Sequence, residues 1–446
     1  MNTRPHAEQK LAEFGLKPVN PPVQSSMYAL AAKDPFGFFL RYKLGLVPAN
    51  AYSEALSRGG WFAENFRFQH DPERLGKLGT LLTNRLSEIS VIVRDFGLGE
   101  HARQRMVDKE RRDFACALGW YEAVIDLPVP GKGNTTVRSY TSQSKWRLLG
   151  TEVLFSYTPP EYEYPFVGRF DSLYFDEKTH KVWVRDDKTT SFSADKRTLT
   201  FPVEFQAEHY FFCGRELMPM FIEKFGLPED STFGGIMHFA FQKPTIDFGS
   251  KDRAYWWASE GKRKDKAGAV KDGRLVIRTI STGELESDTA VDNEDSAVQE
   301  LHAITGKKPT KVYEKEPDLN RYVERCARWY RAEGEYADKK EEREREPVVA
   351  FSYLGPEWFA SREERYHQRA RMLVELCLTK NDPALYRQGP SVVDEYGRVF
   401  PTAELYVNPL QAWPEIITKN RLRVVHRYEQ LHHENPDDVV IPMEAP

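Results

Sequence analysis

Cysteine is scarce in this 446-residue chain, and its four copies, Cys116, Cys213, Cys326 and Cys377, form no CxxC or metal-ligand spacing. That excludes a disulfide-stapled scaffold and a zinc ribbon, and leaves ordinary thiols of a reducing compartment. Net charge is small as well, at -4, so no global basic field marks a nucleic-acid binder, and only a local patch could do that work. No run of 18 apolar residues occurs, and the opening MNTRPHAEQKLAEFG lacks the apolar centre of a signal peptide. The expectation is a cytoplasmic protein that neither spans a membrane nor leaves by a standard signal. A phosphate-loop signature is missing, so the chain is no recognisable ATP-driven motor. His432 and His433 have no cysteine or spaced histidine partner, which argues against zinc there.

What the chain does have is enough apolar residue, 40%, to bury a sizeable core over two or three folding units. Residues 1–145 read as mostly helical, with helical spacing in SSMYALAAKDPFGFFLRYKLGL and LGKLGTLLTNRLSEISVIVRDFG. From residue 146 the period shifts toward two, through WRLLGTEVLFSYT and into VGRFDSLYFDEKTHKVWVRDDKTT. A helical stretch, FPVEFQAEHYFFCGRELMPMFIEKFG, and a strand, FGGIMHFAFQK, complete a core over 146–250. Strand, hairpin, helix and strand in that order predict an α/β fold with a mixed sheet flanked by helices. Residues 251–312 join a basic, aromatic stretch to the acidic STGELESDTAVDNEDSA, expected as a mobile loop, and 313–446 read as a mostly helical region packing back on the core. YADKKEEREREP reads as an exposed, salt-bridged helix end, and the last ten residues as a loose tail.

The hairpin carries the chemistry. Side chains two apart on a strand share a face, so Val182, Val184, Asp186 and Lys188 align while Arg185 and Asp187 point away. With the turn centred between Lys178 and Thr179, Phe175 faces Val182 and Asp171 faces Asp186. An apolar floor then opens into two facing carboxylates and an ammonium. Two such acids resist ionising together unless a cation joins them, and an all-oxygen set favours Mg²⁺ or Mn²⁺ over zinc. Gly168 permits a close backbone approach just upstream, and Glu152 on the preceding strand is a further acidic candidate. Gln206 and Tyr210 lie four apart on one helix face, with Pro202 suited to the first turn, where they could bond the lysine and a phosphate. An Asp-x-Lys alone is commonplace on surface hairpins; the facing Asp171 makes this one informative.

Residues 251–278 hold nine Lys or Arg against four Asp or Glu. Arg253, Trp256, Trp257, Lys262, Arg263 and Lys264 are the candidate DNA contacts there, since cations neutralise phosphates and aromatic faces stack on bases. A solvated loop whose aromatics serve the core is the competing and slightly favoured reading. Arg103 to Arg112 form a second basic stretch, whose alternating acids predict a salt-bridged helix face.

The strings GRFD, DDKTT and QAEHY, in this order and spacing, resemble the RecB-type branch of the PD-(D/E)XK nuclease superfamily, which includes CRISPR-associated exonucleases and phage-encoded relatives. The motif covers about 45 positions. The resemblance implies a restriction-endonuclease-like mixed sheet with extra N- and C-terminal helical regions. It also implies Asp171 and Asp186 as metal ligands, the Asp187 backbone carbonyl as another, Lys188 as the catalytic lysine, and Gln206 with Tyr210 as the helix pair. A family histidine is replaced by Ala63, beside which Glu64 offers an acidic substitute; either Glu64 or Glu152 could complete the ligand set. Where relatives hold an iron–sulfur cluster with four cysteines, this chain has Asp34, Val393, Phe400 and Tyr406, so no cluster is expected. The implied activity is Mg²⁺- or Mn²⁺-dependent DNA hydrolysis in recombination, repair or genome processing, with a helicase, recombinase or single-strand-binding protein as partner. For a phage-encoded chain the place is the host cytoplasm. The alternatives are a catalytically impaired DNA-binding or scaffold subunit and, more remotely, an RNA or nucleotide phosphohydrolase.

Overall fold

In a computed structural model the described residues are 4–48, 54–95, 99–141, 145–246 and 319–378, with short stretches at 248, 253–256, 270–271, 274–275, 277–280, 311–313, 405, 413–419, 422–424 and 440–441. Trp257, Lys262, Arg263, Lys264, the acidic segment 281–297, Val393, Phe400, Tyr406 and the His432–His433 pair lie outside them. Arg253 and Trp256 fall on a short strand, Arg253–Trp256, that pairs with Ile277–Ile280 and Lys311–Tyr313.

Among the helices that precede the sheet, the three longest are α1 (Glu54–Arg67), α2 (Arg74–Asp95) and α3 (Glu100–Val124). Strands β1 (Trp146–Tyr157), β2 (Phe166–Asp176) and β3 (Lys181–Thr190) then form an antiparallel meander. Helices α4 (Ala194–Thr200) and α5 (Phe205–Glu216) carry the chain over to β4 (Thr232–Gln242), which runs parallel to β3. Pro202 sits in a single 3-10 turn, Phe201–Val203, and α5 begins only at Phe205. After α6 (Leu319–Arg331), strand β5 (Val349–Leu354) pairs antiparallel with β4, and α7 (Glu363–Leu378) follows. A two-residue strand, β6 (Val440–Ile441), lies parallel to β1, giving the order β5-β4-β3-β2-β1-β6. The fold is therefore mixed α/β, and its sheet recruits strands from beyond residue 250. The tail expectation needs correction: residues 440 and 441 pair with Leu154 and Phe155, satisfying backbone groups that an edge strand leaves open.

Alternation along most of each strand decides which helix a residue meets, with a slip on β2 between Phe170 and Leu173. Phe170, Leu173, Val182, Val184 and Ile236 enter a core with Phe205, Phe211 and Tyr366, on the α5 and α7 side. Trp61, Phe66, Trp120, Tyr322 and Trp329 pack with Tyr174, Phe239 and Phe241 on the side of α1, α3 and α6. Burying one such aromatic side chain contributes about 1.5–3 kcal/mol, so both faces are held firmly. Strand β4, covered on both faces, is buried continuously from Phe233 to Phe241. At Gly235, with φ of 125°, an added Cβ would lie 2.1 Å from the Leu354 carbonyl oxygen, so only glycine lets β5 approach. All four cysteines are buried thiols within these two cores. Asp34 accepts the Gly37 N–H at 2.9 Å and caps the Pro35–Phe38 helix. No helix among the described residues is long and apolar enough to cross a membrane.

The β2–β3 turn explains the register. The Asp176 carboxylate accepts the Lys178 N–H at 3.0 Å, and its carbonyl accepts the Thr179 N–H at 3.2 Å. Phe175 then stands opposite Val182, and the ladder continues to Ser172–Arg185. It stops one step before Asp171 and Asp186, where the two acids would be neighbours.

Candidate active site

On β3 the face carrying Val182 and Val184 continues into Asp186 and Lys188. The Lys188 ammonium lies 2.6 Å from Asp186 Oδ1 and 3.4 Å from Asp171 Oδ2. The Asp187 N–H also donates to Asp171 Oδ2, at 3.4 Å. The two expected acids thus converge on one cation, and Asp187 turns its backbone toward them. Its side chain pairs instead with Arg185 at 3.0 Å on the opposite face, where the guanidinium lies over the Phe66 and Phe239 rings. Asp186 is wholly buried, whereas Asp171 and Lys188 keep 24% and 25% of their side chains open. That opening is where a substrate could approach.

Electrostatics separates the two acids. Burial alone would raise Asp186, but the Lys188 charge and the His238 hydrogen bond outweigh it and hold the carboxyl below its usual range. Asp171, with a longer contact to the ammonium, is pushed up, by burial first and then by the neighbouring Asp186 charge. Both carboxylates raise Lys188 well above an ordinary lysine despite its own burial, so it is an ammonium at neutral pH.

Glu152 is buried opposite Asp171 in the β1–β2 register, with a positive φ of 51° that breaks the strand's regularity. It pairs with Arg169 Nε at 2.5 Å. Burial pushes it up to about 7; Arg169 opposes this, and the Asp171 and Glu64 charges add to it. Glu64, on α1, lies 3.6 Å from Arg67 and 3.9 Å from Arg85. The inward carboxylate oxygens here are met only by cations: Asp186 Oδ1 by Lys188 at 2.6 Å, Glu152 Oε2 by Arg169 at 2.5 Å and Glu64 Oε2 by Arg67 at 3.6 Å. Such oxygens suit a hard divalent cation. As the side chains stand, however, no three His, Cys, Asp or Glu among the described residues close into a metal-holding group. Lys188 occupies the space between Asp171 and Asp186 and neutralises them itself.

The helix pair reaches the strand that carries Asp171. Gln206 Nε2 donates to the Tyr210 hydroxyl at 3.0 Å, and that hydroxyl donates to the Arg169 carbonyl at 2.7 Å. The pair therefore fixes β2 two residues before Asp171. At Gly168, an added Cβ would meet the Phe155 ring at 2.4 Å, so the close approach expected there is made by an aromatic ring.

His238 is the residue the sequence reading missed. Asp186 and His238 are partners in the parallel β3–β4 register, and His238 Nδ1 lies 2.9 Å from Asp186 Oδ2. A carboxylate only accepts, so Nδ1 carries the proton. Nε2 is buried without a hydrogen bond, and Phe201 stacks on the ring at 3.9 Å. Burial holds the imidazole below its usual pKa, favouring this neutral tautomer. The one signal available was a lone titratable residue inside the apolar FGGIMHFAFQ.

No protein-family model matches the chain, and no curated protein matches it either.

Proposed function

We propose that the chain is a Mg²⁺- or Mn²⁺-dependent DNA nuclease, most simply an exonuclease of recombination, repair or genome processing, on a restriction-endonuclease-like core. The observation that carries this reading is the convergence of Asp171 and Asp186 on Lys188 at an open strand end. The antiparallel meander, helical crossover and parallel β4 support it, as does the resemblance of GRFD, DDKTT and QAEHY.

Asp171 and Asp186 would hold the cation, with Glu152 or Glu64 and the Asp187 backbone as further oxygen donors. When bound, such a cation supplies Lewis-acid charge to a phosphodiester and eases deprotonation of water. The chain's own residues divide the remaining work. Lys188, charged at neutral pH, offers a donor to oxygens that gain negative charge, and is unsuited to act as a base. His238 fixes the orientation of Asp186 from the neighbouring strand, and Tyr210 fixes the strand bearing Asp171.

The test is cleavage of end-labelled linear DNA with Mn²⁺ by the wild type, Asp186→Ala and Lys188→Ala. The expected result is activity in the first and a loss of at least about 100-fold in the others, the scale of a lost charge-stabilising donor. Equal cleavage by all three overturns the reading. Ala63, standing where the resembled family carries a histidine, motivates a second reading, a DNA-binding scaffold with impaired catalysis. DNA binding without Mn²⁺-stimulated cleavage on any substrate would select it.

A further inference from the structure

A cleft of about 450 Å³ lies between α1, α3 and the segments that leave β3 and β4. Four cations line it, Arg58, Lys109, Arg112 and Lys243, against a single carboxylate, Asp113. That carboxylate is already committed. Arg58 Nε approaches it at 2.6 Å and Lys109 Nζ at 2.5 Å, and although burial pushes Asp113 up, these two bonds hold it below its usual range. Arg112 and Lys243 make no ion pair among the described residues, and Arg112 Nε is buried without a hydrogen bond. Burial and the nearby Arg58 charge depress the Lys243 ammonium. Positive charge confined this way, four cations to one carboxylate among the lining residues, calls for an anion.

The cleft's position narrows the choice. Ser191, on its wall, follows Lys188 by three residues, about 10 Å of strand. Arg58 and Glu64 share α1, six residues or about 9 Å apart. Either measure is about three nucleotides of a strand at about 3.4 Å of axial rise each. We propose that this cleft binds a backbone phosphate of the DNA strand whose scissile bond lies at Asp171, Asp186 and Lys188. The inference rests on the nuclease reading for the identity of the strand, and on the excess of cations over carboxylate for the site itself. Arg103 to Arg112 thus divide: Lys109 joins the expected salt-bridged face, while Arg112 turns into the cleft.

The experiment is fluorescence anisotropy of a labelled single-stranded oligonucleotide in EDTA, titrated with KCl, for wild type, Arg112→Gln, Lys243→Gln and Lys243→Arg. Each Gln variant should bind at least fivefold more weakly at low salt. Each should also lower the slope of log affinity against log salt by about 0.7, the value per neutralised phosphate of a single strand. Lys243→Arg should restore the wild-type slope. Unchanged slopes in both Gln variants overturn the proposal. So does loss of inorganic phosphate binding in those variants while oligonucleotide binding stays intact, which would mark a free-phosphate site. Cleavage assays on the same proteins separate the two readings. A wild type that binds through the cleft but never cuts refutes the nuclease alone, and variants that cut and bind normally refute the cleft alone.

Discussion

Lys188→Met removes the charge shared by Asp186 and Asp171 while keeping most of the side chain's volume. The ammonium stands 2.6 Å from one acid and 3.4 Å from the other. Breaking a buried pair by deleting one partner costs about 3–5 kcal/mol. Because Lys188 is 25% and Asp171 24% exposed, solvent screens part of this, and the lower end, about 3 kcal/mol, applies. The sign with pH follows from linkage. Without the ammonium, the two acids titrate in the folded state above their unfolded value of about 4. The folded variant then retains a proton that the unfolded chain releases, so stability is lost as pH rises above about 4. The penalty should be small at pH 5 and near its full value at pH 8. Mn²⁺ at 100 times its Kd adds about 2.7 kcal/mol to a protein that binds it, and the variant should gain more than the wild type because no ammonium has to be displaced. Urea unfolding followed by tryptophan fluorescence, at both pH values and with EDTA or Mn²⁺, measures all of this. DNA cleavage should be lost throughout. An equal penalty at pH 5 and pH 8, or equal rescue of both proteins by Mn²⁺, would refute the reasoning.

Three further outcomes are expected. His238→Leu removes the donor to Asp186 Oδ2 and should weaken Mn²⁺ binding about 10–100-fold by titration calorimetry; unchanged affinity would mean Asp186 is oriented without it. Mn²⁺ affinity of the wild type should rise with pH through about 7 as Glu152 loses its proton, and this rise should flatten in Glu152→Gln. Gly168→Ala drives a methyl into the Phe155 ring, 2.4 Å away, and should cost about 1–3 kcal/mol in denaturant melts.

The hairpin was legible because everything that sets it is local. Turn chemistry at residues 176–181 and a period of two place Asp171, Asp186 and Lys188 together, and a one-residue slip would expose Phe175 and Val182. His238 was not legible in the same way. A parallel register across a helical crossover has no turn to fix it, so its pairing with Asp186 depends on how α4 and α5 pack. Gln206 and Tyr210 were found by helical spacing, but spacing says nothing of the Arg169 carbonyl they hold. The positive φ of Glu152 follows a register shift between Leu148 and Gly150, a backbone adjustment that side-chain pattern does not encode. Strand β6 escaped notice because two residues are too few to establish any period.

The 52 residues separating Asp186 from His238 also bear on when the centre matures. The acids and the lysine meet within one hairpin, which forms early because its loop is short, whereas the imidazole arrives only after the long crossover has closed. During synthesis Asp186 emerges before its partner, leaving a half-built centre whose key carboxylate has Lys188 on Oδ1 and still lacks the imidazole on Oδ2. Under the nuclease reading, catalytic competence would then await completion of β4, the strand that brings His238 to Asp186.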